Sequence, residues 1–124
     1  MPLDRLLVGS GALLMALAVA LGAYSAHATK GAAHPEAARL LQTAVLYQLV
    51  HALGIVIAGV LARGNPTPWI AAAGLLHLAG IVLFCGSLWV LALAARSLGI
   101  AAPAGGLCFI AGWIAMAVHA FAAR

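Results

Sequence analysis

Charge is what this chain most lacks. Its 124 residues include six basic and two acidic side chains, 6% of the total, where a soluble domain carries about 25%. So small a charged complement cannot cover the large surface of a small globule, which excludes a water-soluble fold. Intrinsic disorder is excluded by the opposite excess, since 66% of the residues are hydrophobic. The formal charge of +4 comes from bases of which no two are adjacent, so there is no basic patch for nucleic acid to read. Asp4 and Glu36 are the only carboxylates, too few and too peripheral for paired acid–base chemistry. Ser10, Ser25, Ser87 and Ser97 have no His–acid partners at a recognisable spacing, and no glycine loop of the phosphate-binding kind is present. The two cysteines, Cys85 and Cys108, form no C-x-x-C and no zinc spacing, and read as inert core thiols. A non-enzymatic protein without a cofactor is expected.

What is present in quantity is uncharged apolar length. The few charges divide the chain into windows, each long enough for an α-helix of about 20 residues to cross a bilayer. They place spans near 6–26, 40–61, 69–93 and 101–121, all in one domain. The predicted fold is all-α, an integral membrane four-helix bundle of antiparallel transmembrane helices with short loops. Gly64-Asn65-Pro66-Thr67-Pro68 cannot continue a helix and makes the tightest turn. Pro35 and Glu36 read as a helix start before the second span. Trp69 and Trp89 are 20 positions apart, about 30 Å of helix, which predicts an aromatic anchor at each face of the membrane. Ala12, Ala16 and Ala20, or Ala18, Gly22 and Ala26, offer the four-residue spacing of small side chains that lets helices approach closely. The first window also ends in Ala26-His27-Ala28, a cleavage-like triplet, but its apolar run exceeds the roughly 7–15 residues of a signal core and reads as a retained span. Three basic residues fall on either side, so the charge rule leaves orientation open.

Polar side chains inside a membrane need partners, and most of them lie in span two. Thr43, Tyr47 and His51 recur at four-residue steps with Gln48 beside them, predicting one inward polar face with Gln42 beside it near the helix entry; His27, where span one emerges, reads first as a solvated interfacial histidine and alternatively as meeting the outer end of that face. That cluster reads either as mutual hydrogen bonding that sets helix register or as the lining of a cavity. His34 and His119 are most simply solvated. His77 lies about 12 Å into span three, near the depth of His51, so the two are the only candidates for a haem or metal site. No acidic residue or further ligand pair in the membrane completes one. Gly86 with Ser87 and Gly105 with Gly106 are read as close helix contacts.

Four segments, GAYSAH (22–27), LQTAVLYQLVHAL (41–53), LFCGSLWVLAL (83–93) and PAGGLCFIAGW (103–113), resemble the signature stretches of the domain-of-unknown-function 423 family, which includes the bacterial YgdD-like and eukaryotic transmembrane protein 256-like proteins. The resemblance implies a small four-helix membrane protein and carries no assigned chemistry. It implies that His27, Gln42, Tyr47, Gln48, His51, Gly86, Ser87, Gly105, Gly106 and Trp113 are shared positions. Ser25, Cys85 and Ala102 depart from the pattern, where glycine, serine and threonine are usual, and His77 belongs to none of the segments.

The leading expectation is a structural or accessory protein of the bacterial cytoplasmic (inner) membrane, acting through helix contacts with itself or a membrane-protein partner. The alternative is a transporter or binding protein for a small ligand or ion, with a polar cavity around Tyr47, Gln48 and His51. The lipid bilayer is the one partner that composition itself requires.

Overall fold

In a computed structural model that describes residues 1–28 and 35–122, the chain forms four helices, each long and apolar enough to cross a membrane. They are α1 (Leu3–Ala28), α2 (Pro35–Gly64), α3 (Pro68–Ala94) and α4 (Ala101–Ala122). Each runs past the predicted span by one to five residues at one end or both, apart from α4, which begins where expected. His34, Lys30 and Arg124 lie outside the described residues.

Burial along α2 shows how the helices meet. Leu41, Ala44, Gln48, His51, Ile55, Ala58 and Ala62 are buried, at alternating three- and four-residue steps, the spacing of a left-handed helix seam. The buried positions of α1, which are Leu7, Gly11, Ala18 and Ser25, follow the same rule. Contact is close enough that a Cβ on Gly11 would lie 2.9 Å from the Ala52 carbonyl oxygen, and one on Gly59 would lie 2.8 Å from the Val8 nitrogen. In lipid this backbone approach replaces the hydrophobic effect as the source of helix affinity. Neither predicted four-residue stripe is the seam. Ala12, Ala16 and Ala20 face outward, and of the second stripe Ala18 alone is buried. A seven-residue seam selects Gly11, Ala18 and Ser25 instead.

An Asp4–Arg63 ion pair at 3.2 Å joins the start of α1 to the end of α2. At the next turn Thr67 caps α3 by accepting the Ile70 N–H, and its hydroxyl shares a 2.7 Å hydrogen bond with Nδ1 of His119 near the end of α4. His119 is therefore buried and partnered, not solvated as its position in sequence suggests. These links and the seam contacts make all neighbouring helices antiparallel. α1 lies against α2 along its length, α2 against α3, and α3 against α4, whereas α2 and α4 touch at few points. A gap between α2 and α4, floored by α3, follows from that order.

α3 is not one uniform α-helix. Ile81–Cys85 forms a π turn, and the following helix resumes at Gly86. Up to its first residue, Ile70, Ala73, Gly74, His77, Gly80 and Ile81 are buried; an unbroken α-helix would continue that stripe through residue 84. The extra residue in the turn gives the buried place to Cys85 and leaves Phe84 half-buried, facing α4. Ser87 is buried just beyond, its hydroxyl donating to the Phe84 carbonyl at 2.9 Å. The same re-phasing bears on Trp89. It packs against the core with Nε1 buried and unpartnered among the described residues, so Trp89 is not free to act as a surface anchor, whereas Trp69 is exposed.

Of the four residues expected at close helix contacts, Ser87 is buried and Gly105 makes the tightest approach: a Cβ there would overlap the Phe84 backbone. Ser87 bonds within its own helix, and Gly86 and Gly106 have nothing within 4 Å of where a Cβ would stand. Adjacent glycines point about 100° apart on a helix, so only one of such a pair can face the neighbour. Gly105→Ala should therefore destabilise the protein by about 1–3 kcal/mol through overpacking. Gly106→Ala should be neutral or stabilising by up to about 1 kcal/mol. Thermal melting of the two variants in one detergent checks the order, and a reversed order would contradict the contact assignment.

Candidate functional site

The predicted polar face of α2 divides in two. Each four-residue step overshoots a full turn by about 40°, so Thr43, Tyr47 and His51 fan around the helix, and Gln48 stands further round still. Gln48 and His51 turn into the bundle, while Gln42, Thr43 and Tyr47 are exposed. Gln48 donates through Nε2 to the Leu14 carbonyl at 3.0 Å, a side-chain link between α2 and α1. Gln42 lines a shallow surface groove with Gly22, Ser25 and Val45. His27 is exposed at the end of α1 and bonds to none of the described residues, so it does not extend the cluster. The inward face foreseen for all of these residues is realised by Gln48 and His51.

His51 is the centre of an aromatic group that sequence spacing does not reveal. Its ring stacks on Phe109 of α4 with centroids 3.4 Å apart and planes 13° from parallel. Tyr47 lies 5.7 Å from His51 and 4.7 Å from Phe84, and Phe84 meets Phe109 edge-on at 5.7 Å. Trp113 lies 6.1 Å from His51 and 4.7 Å from His77. Apart from the closer His51–Phe109 stack, these separations fall in the range of about 4.5–7 Å where aromatic pairs add about 0.5–1.5 kcal/mol beyond the area they bury. Phe84 joins the group because the π turn aims it there. Phe109 and Phe84 were missed as site residues, since each by itself reads as an ordinary apolar membrane residue, and Trp113 was reached only as a position implied by the family resemblance.

The two histidines share one hydrogen-bond arrangement. Each Nδ1–H donates at 2.7 Å to the carbonyl four residues earlier, His51 to Tyr47 and His77 to Ala73. A carbonyl only accepts, so the proton sits on Nδ1 and Nε2 keeps a lone pair. The rings are 5.5 Å apart, as their common depth implied. Their surroundings differ. His77 is 0% exposed and boxed between glycines: a Cβ on Gly54 would lie 3.1 Å from its Nε2, and one on Gly112 would lie 2.9 Å from its Nδ1. That leaves no room beside His77 for a planar macrocycle. Among the described residues no group of three or more His, Cys, Asp or Glu side chains could hold a metal ion. His51 instead borders open space. A cleft of about 390 Å³ lies between α2 and α4, lined by Tyr47, His51, Phe84, Phe109 and Trp113 with Pro103 and Gly106 at its upper wall. Leu107 and Ile110 form its outward rim, so it opens sideways toward acyl chains. His51 stands near the middle of α2, which puts the cleft at mid-membrane depth.

Residues 21–106 match the family described as protein of unknown function (DUF423). The chain belongs to the DUF423 family. Similar chains include the UPF0382 membrane protein SH2409 of Staphylococcus haemolyticus, 39% identical over 118 residues, covering 94% of this chain and 96% of that one. The UPF0382 membrane protein YwdK of Bacillus subtilis is 40% identical over 112 residues, covering 89% and 91%. The UPF0382 membrane protein SAB0533 of Staphylococcus aureus is 36% identical over 118 residues, covering 94% and 96%. No solved structure matches the chain. The matched DUF423 region holds Tyr47, His51, Phe84, Pro103 and Gly106 of the cleft and stops short of Phe109 and Trp113.

Two outcomes test this geometry in the DUF423 chain. Gln48→Leu should cost only about 0.6 kcal/mol, the usual worth of a hydrogen bond between membrane helices, by thermal melting. A loss of several kcal/mol would mean that the Leu14 link carries the bundle. Deleting Val82, whose side chain points outward at 64% exposure, should convert the π turn to α-helix while Cys85 and the rest of α3 keep their register. Only residues inside the turn, Phe84 among them, would be re-aimed, lowering stability by about 0.5–1.5 kcal/mol for each aromatic contact weakened. A melt unchanged from the parent would overturn the role given to the π turn.

Proposed function

We propose that this DUF423 protein is a non-enzymatic binding protein of the bacterial cytoplasmic membrane, and that it holds a small lipid-soluble molecule in the cleft between α2 and α4. One observation carries the reading: the Nε2 of His51 makes no hydrogen bond among the described residues, although its ring is fixed by Phe109 on its face and by Tyr47 O at Nδ1. A fixed, unpaired acceptor at mid-membrane is costly unless something meets it. The volume of the cleft falls in the range of small-molecule sites, and its mostly apolar wall with few polar groups has their usual character.

The accessory role, acting through helix contacts with a second copy or a membrane-protein partner, draws its support from the other half of the polar set. Gln48 is paired with Leu14 O within one chain, and His77, whose Nε2 likewise has no partner among the described residues, is enclosed between Gly54 and Gly112; both serve the bundle itself. Gly106→Leu separates the two readings, because it fills the upper wall of the cleft where a Cβ meets no atom within 4 Å. The parent protein, purified from native membranes with its lipids and analysed by native mass spectrometry, should carry a small-molecule adduct that Gly106→Leu loses while melting unchanged. An identical adduct pattern in both proteins would remove the binding reading and leave the accessory one.

A further inference from the structure

The walls of the cleft also limit what it can hold. Three of the lining residues carry side-chain polar atoms that make no hydrogen bond among the described residues: Nε2 of His51, which can only accept, the hydroxyl of Tyr47, and the indole N–H of Trp113, which can only donate. Tyr47 and His51 are stacked 5.7 Å apart and 22° from parallel, so the two rings belong to one wall of the cleft, that of α2. A bare acyl chain would leave all three unpaired in hydrocarbon, whereas a ligand hydroxyl would satisfy the imidazole. The remaining surface consists mainly of ring faces and edges from Phe84, Phe109 and Trp113, which favour a flat aromatic guest in stacked or edge-on contact. The sideways opening past Leu107 and Ile110 lets an apolar tail on such a guest continue into the lipid.

Resting on the binding reading above, we infer that the cleft takes the head of a phenol- or hydroquinone-class lipid, its hydroxyl donating to His51 Nε2 and a second oxygen accepting from Tyr47. The interaction is recognition only; no bond is made or broken.

The test uses the full chain in phosphatidylcholine vesicles with Trp69→Phe and Trp89→Phe, so that the cleft residue Trp113 is the sole fluorophore. The probes are a decyl-tailed benzohydroquinone kept under argon, its dimethyl ether, and decanol. The expected result is saturable quenching by the hydroquinone, at least tenfold weaker binding of the ether, and no saturable effect of decanol. His51→Phe keeps the stack on Phe109 and removes the acceptor, and should weaken hydroquinone binding at least tenfold. Tyr47→Phe removes only a hydroxyl, and should weaken it severalfold even if the His51 variant does not fold. Gly106→Leu should abolish quenching by all probes. Equal binding of hydroquinone and ether, with loss in Gly106→Leu, would overturn the hydroxyl-donor inference and leave the cleft as a binding site. Quenching that survives Gly106→Leu would overturn both readings. Absence of saturable quenching by the hydroquinone would overturn the ligand class alone, and the adduct comparison would still decide the cleft.

Discussion

Backbone contact between helices is the constraint from which the other features of this molecule follow. In hydrocarbon, apolar side chains gain nothing by leaving lipid for protein, so affinity has to come from close fit and from the hydrogen bonds that close fit permits. Gly11 against Ala52, Gly59 against Val8 and Gly105 against Phe84 supply that fit. Glycine pairs around His77 do something further. Gly54 and Gly112 make a slot of one ring's thickness, and the imidazole fills it with Nδ1–H tied to Ala73. Such a slot sets the spacing of α2, α3 and α4 at mid-membrane, and the neighbouring His51 ring is positioned by the same spacing.

The polar residues then serve two ends. Gln48, His77, His119 and Thr67 are enclosed and join elements: α2 to α1, α3 to its neighbours, and the second turn to α4. His51 and Tyr47 are held as firmly, by stacking and by a local hydrogen bond, yet line open space and carry polar atoms that make no hydrogen bond among the described residues. A rigid frame around an unsatisfied acceptor is the usual construction of a binding site, since preorganisation removes the cost of ordering the site when a ligand arrives.

The π turn connects frame and cleft. One extra residue within Ile81–Cys85 moves Cys85 into the seam and Phe84 toward Tyr47, and Gly105 makes room for the displaced backbone. π turns recur at functional sites because they turn a side chain without breaking the helix. Here the turned side chain is a cleft wall.

Membrane residence, four crossings and the breaks between them were legible in the chain, because lipid demands long uncharged helices and composition records this residue by residue. The common depth of His51 and His77 was legible too, since helical rise converts position to height. Rotation was not. A four-residue step suggests one face for Thr43, Tyr47 and His51, but which part of that fan turns inward depends on where α1 and α3 lie. Likewise Gly105 and Gly106 are equivalent in sequence, and only the path of Phe84 distinguishes them. The π turn, the His119–Thr67 bond and the aromatic group around His51 arise from contacts between distant segments, which no local spacing encodes. The chain by itself determined its solvent and the height of each residue within it; tertiary structure decided the angle at which each faces its neighbours, because in an evenly apolar helix no hydrophobic face announces the inside.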